Sequence, residues 1–392
     1  MRILLVHNFY RQPGGEDAVV RYQEEMLSGH GHEVSLFSVH NDDIRGLGGH
    51  AATFVSMSYN PMAKRRLSRR IKAFGPDVVH VHNFVPRLSP SVFDACRETG
   101  VPSVMTLHNF RILCPTSFLY YDRAVRERSL HHSCWWTVPK RVYHHSFFGT
   151  LAVANMVETH KRRGTWNTKV DRFIALTEFA KRKFVEGGID ANRIVVKGNA
   201  ARAISRPEPR GDARSGALFV GSLSEEKGIR SLLSAWEGVD YPLRIAGDGP
   251  LAPLVTETRR PAIEALGRLD AGRVQAEMDR AAFLVLPSIW YEMFPVTIVE
   301  AFASGLPVLA SRVGGIDEIV RDGVTGLLFN PDDPADLAAT ARWAMNHPDE
   351  MAAMGRAARA EYEKTYTPRR DYLRLMQIYS GVIGGGAAQP AA

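Results

Sequence analysis

Short apolar runs of β-type residues alternate with amphipathic helical segments along this 392-residue chain, and the alternation occurs in two successive series. The first series begins with a strand pattern over residues 3–6, a helical pattern over 16–28 and a strand pattern over 33–38. The second series begins with a strand pattern over 217–220. Strands that alternate with helices form parallel sheets covered by helices. We therefore predict an α/β protein with two Rossmann-like parallel-sheet domains that face each other across a cleft.

A change in composition divides the two series. Residues 199–215 are dominated by Arg, Pro, Gly and Ser and lose apolar periodicity, which is typical of an interdomain linker. A chain of this length is also too long for one ordinary core. We predict an N-terminal domain over residues 1–200 and a C-terminal domain over 201–366. Residues 367–392 are predicted to form a helix that packs back on the first domain, followed by a disordered tail.

The chain is basic, with a formal net charge of +7, and this favours acidic partners such as nucleotides, anionic lipids or nucleic acid. The sharpest basic run extends from Lys64 to Lys72 and is typical of a solvated helix face. An alternative interpretation of this run is contact with an anionic membrane surface. We expect no nucleic-acid partner, because no recognition motif accompanies the charge.

Cysteine usage and apolar run lengths bear on the compartment. Three scattered cysteines do not make a disulfide framework. The apolar run at the N-terminus is too short for a signal peptide, and no stretch reaches the length of a transmembrane helix. We expect a cytoplasmic protein, with peripheral contact at the inner membrane face as the alternative.

The segment richest in candidate chemistry lies in the second half and contains Glu292 and Glu300. Pro295 suits the first turn of a helix, and Gly305 suits the position just after the helix ends. Glu292 would then lie in the loop before the helix, and Glu300 within it. Backbone N–H groups at a helix N-terminus bind anions, and carboxylates beside them can accept hydrogen bonds from sugar hydroxyls.

Two glutamates separated by seven residues and followed by Ala-Phe-Ala-Ser-Gly-Leu-Pro-Val resemble the signature of retaining glycosyltransferases of family 4, which have the GT-B fold. Residues 221–228, 246–250, 313–318 and 322–328 resemble this family in the same order. The resemblance implies a metal-independent, hexosyltransferase-like enzyme without a cofactor. It would transfer a sugar from a UDP- or GDP-linked donor to a hydroxyl acceptor, in glycan, glycolipid or glycosylated-metabolite biosynthesis. The first domain would then serve the acceptor, and the second the donor.

The resemblance also implies roles for single residues. Lys227 would pair with the donor diphosphate and stabilise the leaving group. Glu292 would contact the transferred sugar, and Glu300 would bind the ribose hydroxyls. The other implied donor-binding positions in the second half are Gly221, Ser222, Arg268, Leu269, Met293, Phe294 and Val296.

Two positions of the second half depart from the family pattern. The family usually has Arg where Ser222 stands, and a hydroxyl is a poor substitute for a bidentate phosphate clamp. It usually has Gly where Pro295 stands, and proline has no backbone N–H to donate to a ligand. Both departures bear on donor affinity and donor identity.

The first half resembles the family at two places. Gly14 and Gly15, within residues 13–16, resemble the glycine loop that approaches the donor diphosphate and the acceptor; the alternative is a plain tight turn. His108 follows the strand pattern over 102–107, and the resemblance implies that it lies near the reacting sugar and the phosphate. The alternative for His108 is a hydrogen-bonded histidine at a strand end.

Other functions fit parts of the sequence. A nucleotide-sugar epimerase or hydrolase on the same fold, or a non-catalytic sugar-nucleotide-binding relative, are the alternatives. A dehydrogenase is disfavoured, because no Gly-x-Gly-x-x-Gly follows the first strand of either half. A metal site is not expected, because the histidines and cysteines over residues 108–134 lack the spacing of metal ligands.

Overall fold

The computed structural model of the protein describes residues 1–11, 14–201, 214–258 and 260–385. Pro13 of the predicted glycine loop, most of the predicted linker and most of the predicted tail lie outside the described residues. The chain forms two compact units. The first contains Met1–Tyr121, Arg126–Gly198 and the segment that begins at Tyr372, and the second contains Asp122–Val125 and Asn199–Asp371.

The first unit is built on a six-stranded parallel sheet. Its buried strands are apolar on both faces, as expected where helices cover a parallel sheet. Two shorter strands, β5 and β6, lie outside this sheet. The strands of the sheet are β1 (Arg2–Phe9), β2 (Glu33–His40), β3 (Val78–Val81), β4 (Ser103–Leu107), β7 (Arg172–Ala175) and β8 (Ile194–Val196), in the order β2-β1-β3-β4-β7-β8. β5 (Tyr120–Tyr121) pairs with β6 (Ala124–Val125), which belongs to the second unit.

The helices of this unit begin and end at recognisable capping residues. The side chain of Asn60, for example, accepts a hydrogen bond from the Ala63 N–H at the start of α3, and Gly75 ends that helix in the left-handed conformation. The helices are α1 (Gly15–Gly29), α2 (Gly46–Ser56), α3 (Pro61–Phe74), α4 (Ser91–Thr99), α5 (Arg128–His131), α6 (Phe147–Arg162), α7 (Thr165–Lys169) and α8 (Glu178–Glu186).

The second unit is built on another six-stranded parallel sheet, in the order β11-β10-β9-β12-β13-β14. Its strands are β9 (Ala217–Val220), β10 (Leu243–Ala246), β11 (Ile263–Gly267), β12 (Phe283–Leu286), β13 (Val308–Ser311) and β14 (Gly326–Phe329). Its helices are α9 (Ile229–Ala235), α10 (Ala252–Thr256), α11 (Ala271–Arg280), α12 (Val296–Ala303), α13 (Ile316–Ile319), α14 (Pro334–Asn346) and α15 (Pro348–Glu361). Both sheets confirm the predicted fold class of two parallel-sheet α/β domains.

The last helix, α16 (Pro368–Gly384), packs against the sheet of the first unit from Tyr372 onward. Leu375 and Tyr379 are fully buried in a core cluster that includes Ile3 of β1. The Tyr379 hydroxyl also lies 2.7 Å from Nδ1 of the buried His80. The C-terminal segment therefore completes the core of the N-terminal unit.

Each sheet contains a point where the strand order reverses. In the second unit it lies between β9 and β12, and in the first unit between β1 and β3. Loops that leave adjacent strands there diverge to opposite faces of the sheet and open a crevice at the carboxyl ends of the strands. Open parallel sheets bind their ligands at this position.

The structure corrects the predicted position of Pro295. This residue does not lie within the first turn of α12 but immediately precedes the helix, in an extended conformation with ψ near 107°. The loop that leads into the helix therefore has no backbone N–H donor at this position. Gly305 lies just past the helix end with φ near 62°, as predicted.

Candidate functional site

Lys227 and Glu292 meet at the strand-order reversal of the second unit. Lys227 ends a 3-10 turn that follows β9, and Glu292 lies in the loop that follows β12. The Lys227 Nζ lies 2.6 Å from the Glu292 Oε1. Glu292 is only 6% exposed, whereas the Lys227 side chain keeps about a fifth of its surface exposed. The pair therefore presents a cation at the surface above a buried carboxylate.

The surroundings of Glu292 favour its ionised form. The fully buried Ser288 donates its hydroxyl to the same Oε1 over 2.7 Å. Burial by itself would raise the pKa of Glu292, but the charge and hydrogen bond of Lys227, with hydrogen bonds from Trp290 and Ser288, outweigh it, so that this pKa lies below its usual value. The Lys227 Nζ also lies 5.2 Å from the ring centroid of Trp290.

Glycines let the loops of this site approach each other closely. Gly228, next to Lys227, has φ near 72°, and a Cβ there would lie 1.8 Å from the carbonyl oxygen of Pro287. Gly314 has φ near 67°, and a Cβ there would lie 2.7 Å from both the backbone nitrogen and oxygen of Glu292. Both positions require glycine. The backbone around the ion pair is therefore held by loops from three strands.

Glu300 lies on α12, and its environment differs from that of Glu292. Burial raises the pKa of Glu300. Within the described ranges, no hydrogen bond or ion pair is recorded for its carboxylate. Two carboxylates near one helix thus have pKa values shifted in opposite directions, which is typical of groups with different functional roles.

The remaining predicted donor-binding residues occupy different parts of the second unit. The Gly221 N–H donates to the Ala246 carbonyl over 3.0 Å, and the Ser222 side chain after it is exposed. Met293 and Phe294 are buried directly after Glu292. Val296 is the first residue of α12. Arg268 is exposed and Leu269 is half-buried; both follow the edge strand β11, two strands away from β9.

In the first unit, His108 follows β4 and contacts His82, which follows β3. The His108 Nε2 lies 3.0 Å from the His82 Nδ1, so that one ring nitrogen donates and the other accepts. Burial, with smaller contributions from His7 and Lys197, lowers the pKa of His108 to about 3. His108 is therefore neutral at physiological pH.

A second polar group surrounds the start of α1. The His7 Nε2 donates to the Asp17 Oδ1 over 2.7 Å, and both side chains are buried. The Asp17 Oδ2 in turn accepts from the Gly14 N–H over 2.9 Å. The Tyr10 hydroxyl donates to Glu16 over 3.0 Å, and burial raises the pKa of Glu16 to about 8.

The structure places Gly14 immediately before α1 and Gly15 at its first position. A Cβ at either residue would meet no described atom within 4 Å. Neighbouring protein atoms therefore do not explain why glycine stands here. Glycine permits close approach of a ligand to the backbone at a helix N-terminus.

Several site residues were not predicted from the sequence: Ser288, Trp290, Asp17 and His82. Ser288, Trp290 and His82 lie just after the carboxyl ends of strands, and Asp17 lies in the first turn of α1. Their positions relative to the predicted strands could have indicated them, because ligands of open parallel sheets bind at that edge. The described part of the chain contains no group of three His, Cys, Asp or Glu side chains placed to hold a metal ion.

Comparisons with known proteins assign families to both halves. Residues 13–201 match Glycosyltransferase Family 4, and residues 214–347 match Glycosyl transferases group 1. The chain is 31% identical over 216 residues to an uncharacterized glycosyltransferase of Methanocaldococcus jannaschii, covering 54% of this chain and 60% of that protein. It is 32% identical over 233 residues to a phosphatidyl-myo-inositol mannosyltransferase of Mycobacterium leprae, covering 57% of this chain and 62% of that one. The alignments thus span under two thirds of either relative.

A solved structure shares the fold over nearly the whole length. Anabaena HepE in complex with UDP superposes with a TM-score of 0.69 at 18% identity, covering 97% of this chain and all of that one. This likeness concerns the fold. The two family matches do not overlap and together cover most of the sequence. The two parts of the chain therefore match, in order, a family 4 and a group 1 glycosyltransferase model, and the chain shares its fold with HepE.

Proposed function

We propose that the protein is a retaining glycosyltransferase that moves a sugar from a nucleoside diphosphate sugar to a hydroxyl acceptor. The observation that carries this proposal is the Lys227–Glu292 pair at the strand-order reversal of the second sheet. A partly exposed ammonium group above a buried carboxylate suits a ligand that has an anionic diphosphate next to a polyhydroxylated sugar.

The reaction requires charge stabilisation more than proton transfer by a side chain. As the bond between the anomeric carbon and the diphosphate breaks, negative charge develops on the leaving phosphate oxygens. Lys227 stabilises that charge without a metal ion. The acceptor hydroxyl bonds to the same face of the anomeric carbon and releases its proton to the departing diphosphate. The products are the glycosylated acceptor and the nucleoside diphosphate.

The two glutamates bind different parts of the donor. Glu292, kept ionised by Lys227, accepts hydrogen bonds from hydroxyls of the transferred sugar. Glu300 accepts hydrogen bonds from the ribose hydroxyls, which would supply partners to its half-buried carboxylate. In the first unit, neutral His108 uses one ring nitrogen for His82 and offers the other to a sugar hydroxyl or phosphate oxygen.

Relatives support a nucleotide-sugar donor without naming it. HepE has been solved with UDP and with UDP-glucose, and the Mycobacterium leprae relative is named a mannosyltransferase that acts on phosphatidyl-myo-inositol. We propose a UDP- or GDP-linked hexose as the donor. The acceptor is a molecule that carries a hydroxyl group.

Thermal unfolding with nucleotide ligands tests the donor site. The purified protein is unfolded in the presence of UDP, GDP, ADP or TDP and their sugars, and we expect one base to raise the midpoint, because a ligand that binds only the folded state stabilises it. The matching sugar nucleotide is then incubated with candidate acceptors, and the anomeric configuration of the product is determined by NMR. An inverted product would contradict retention. No shift with any ligand at millimolar concentration would contradict the donor site.

A further inference from the structure

One face of the first unit exposes a group of large apolar side chains. Phe147 and Phe148 begin α6, Phe54 and Val55 end α2, and Met62 lies in the first turn of α3. Val55, Met62 and Phe148 are 77%, 71% and 68% exposed, and Phe54 and Phe147 are 36% and 43% exposed. We call these five side chains the apolar cluster. Contiguous exposed apolar groups on a folded protein mark contact sites.

Contacts within the unit hold the elements of the cluster together. The rings of Phe54 and Phe148 meet edge to face, with centroids 6.2 Å apart. The turn that joins α2 to α3 is fixed on α6, because the Ser58 hydroxyl accepts from the Asn155 amide over 2.9 Å and the Ser58 carbonyl lies 2.8 Å from the His160 Nε2. These contacts hold α2, the turn before α3 and α6 together, and they place Phe54 beside Phe148.

Helix α3 continues this surface as a basic stripe. Its buried face consists of Ala63, Leu67, Ile71 and Phe74, which pack into the unit. Helical periodicity places Arg65, Arg69 and Lys72 on the opposite face, on the same side as Met62. All three are exposed. We call Arg65, Arg69 and Lys72 the basic stripe.

Not every charge of this helix faces outward. Lys64 pairs with Glu98. Arg70 donates to the Ser35 hydroxyl over 2.6 Å and lies over the ring of Phe74. The run from Lys64 to Lys72 is therefore divided by its contacts: part of it holds α3 on its own unit, and the basic stripe is presented outward.

We propose that the apolar cluster and the basic stripe together form a docking surface for an anionic lipid bilayer. Aromatic and aliphatic side chains enter the headgroup region, where aromatic rings are favoured at membrane interfaces. The guanidinium and ammonium groups contact lipid phosphates, and each basic residue near an anionic surface strengthens binding. A protein partner explains the exposed rings equally well, but the adjoining stripe of like charges favours a uniformly anionic surface. No helix in the described ranges is long and apolar enough to cross a membrane.

Vesicle co-sedimentation tests this surface in the absence of any sugar nucleotide, so that its outcome is independent of the proposed enzymatic activity. The probes are phosphatidylcholine vesicles with and without phosphatidylglycerol. We expect binding only to the vesicles that contain phosphatidylglycerol, weakening as salt is added. The double variant R65Q/R69Q should bind about 30-fold more weakly. The double variant F147S/F148S should bind these vesicles at least about tenfold more weakly.

A matched control removes two charges elsewhere. R273Q/R356Q replaces two exposed arginines of the second unit and lowers the net charge as much as R65Q/R69Q does. It should bind vesicles like the unmodified protein. All variants should keep the thermal unfolding midpoint, because none of these side chains is buried. Equal binding to neutral vesicles, or an equal loss in the control, overturns the proposal. The proposal is also overturned if the protein self-associates, does not bind vesicles, and no longer self-associates in F147S/F148S. The surface would then contact a second copy of the chain.

Discussion

Lys227 and Glu292 stand 65 positions apart in the chain, yet the Lys227 Nζ and the Glu292 Oε1 lie 2.6 Å apart at the strand-order reversal of the second sheet. Lys227 keeps the Glu292 carboxylate ionised. Without the lysine, the buried carboxylate would lose its cationic partner, and burial would raise its pKa. Replacing Lys227 therefore affects both the diphosphate site and the ionisation of Glu292.

The variant Lys227→Met should lower kcat by about 100- to 1000-fold, because it removes a charge that stabilises the leaving group. Steady-state kinetics with the donor identified by thermal unfolding measure this. Arg230→Met is the matched control, since it removes a cation whose partner, Glu225, lies at the surface. Equal losses in both variants would show that the effect of Lys227 is not specific.

The variant Glu300→Gln should weaken nucleoside diphosphate binding by roughly 10- to 100-fold, because hydrogen bonds to a charged acceptor contribute about 1.5–3 kcal/mol. Stability should not fall, since burial disfavours the charge that the substitution removes. Calorimetric titration and thermal unfolding separate the two effects. Glu257→Gln, an exposed carboxylate on the same unit, should change neither. Unchanged nucleotide affinity in Glu300→Gln would refute the ribose-binding role.

The variant Ser222→Arg should bind the donor nucleotide about tenfold more tightly, because it introduces a charge-assisted phosphate contact from an exposed position after β9. Ser222→Gln provides a side chain of similar reach without charge and should leave the affinity near its original value. Titration with the nucleoside diphosphate measures both variants. If the arginine has no effect, Ser222 does not face the diphosphate.

The variant Gly228→Ala should destabilise the second unit by more than about 3 kcal/mol, because its Cβ would overlap the Pro287 carbonyl oxygen. Gly100→Ala is the control: its φ, near 70°, is almost the same as that of Gly228, but a Cβ there meets nothing within 4 Å. Gly100→Ala should lower the free energy of unfolding by only about 1–2 kcal/mol, because alanine disfavours the left-handed backbone conformation. Denaturant unfolding of both variants distinguishes the clash from the backbone strain, and equal losses would argue against the close loop approach.

Glu16 should make stability fall as pH rises. Its folded-state pKa is raised to about 8, mainly by burial, so the folded protein keeps a proton that the unfolded chain releases near its ordinary pKa of about 4.3. This contribution is complete below the unfolded pKa and is lost as pH rises through about 8. The free energy of unfolding of Glu16→Gln should therefore decline less between about pH 5 and 9. Glu25→Gln, on the exposed side of α1, should follow the unmodified protein, and parallel curves for all three would contradict the raised pKa.

Local sequence predicted elements well where burial is nearly complete. The predicted strand over 217–220 coincides with β9, which lies inside a sheet and is wholly apolar. The edge strand β11 was not predicted, because most of its side chains face solvent and leave no continuous apolar run.

Periodicity and short motifs depend on neighbours along the chain, so the α/β class, the two parallel sheets and the residues that resemble a donor site could be predicted without coordinates. The pairing of Lys227 with Glu292, the approach of Gly228 to Pro287 and the neutral state of His108 beside His82 could not. Those facts depend on strand order and burial. Strand order brings distant loops to one edge of a sheet, and burial sets the cost of each charge there.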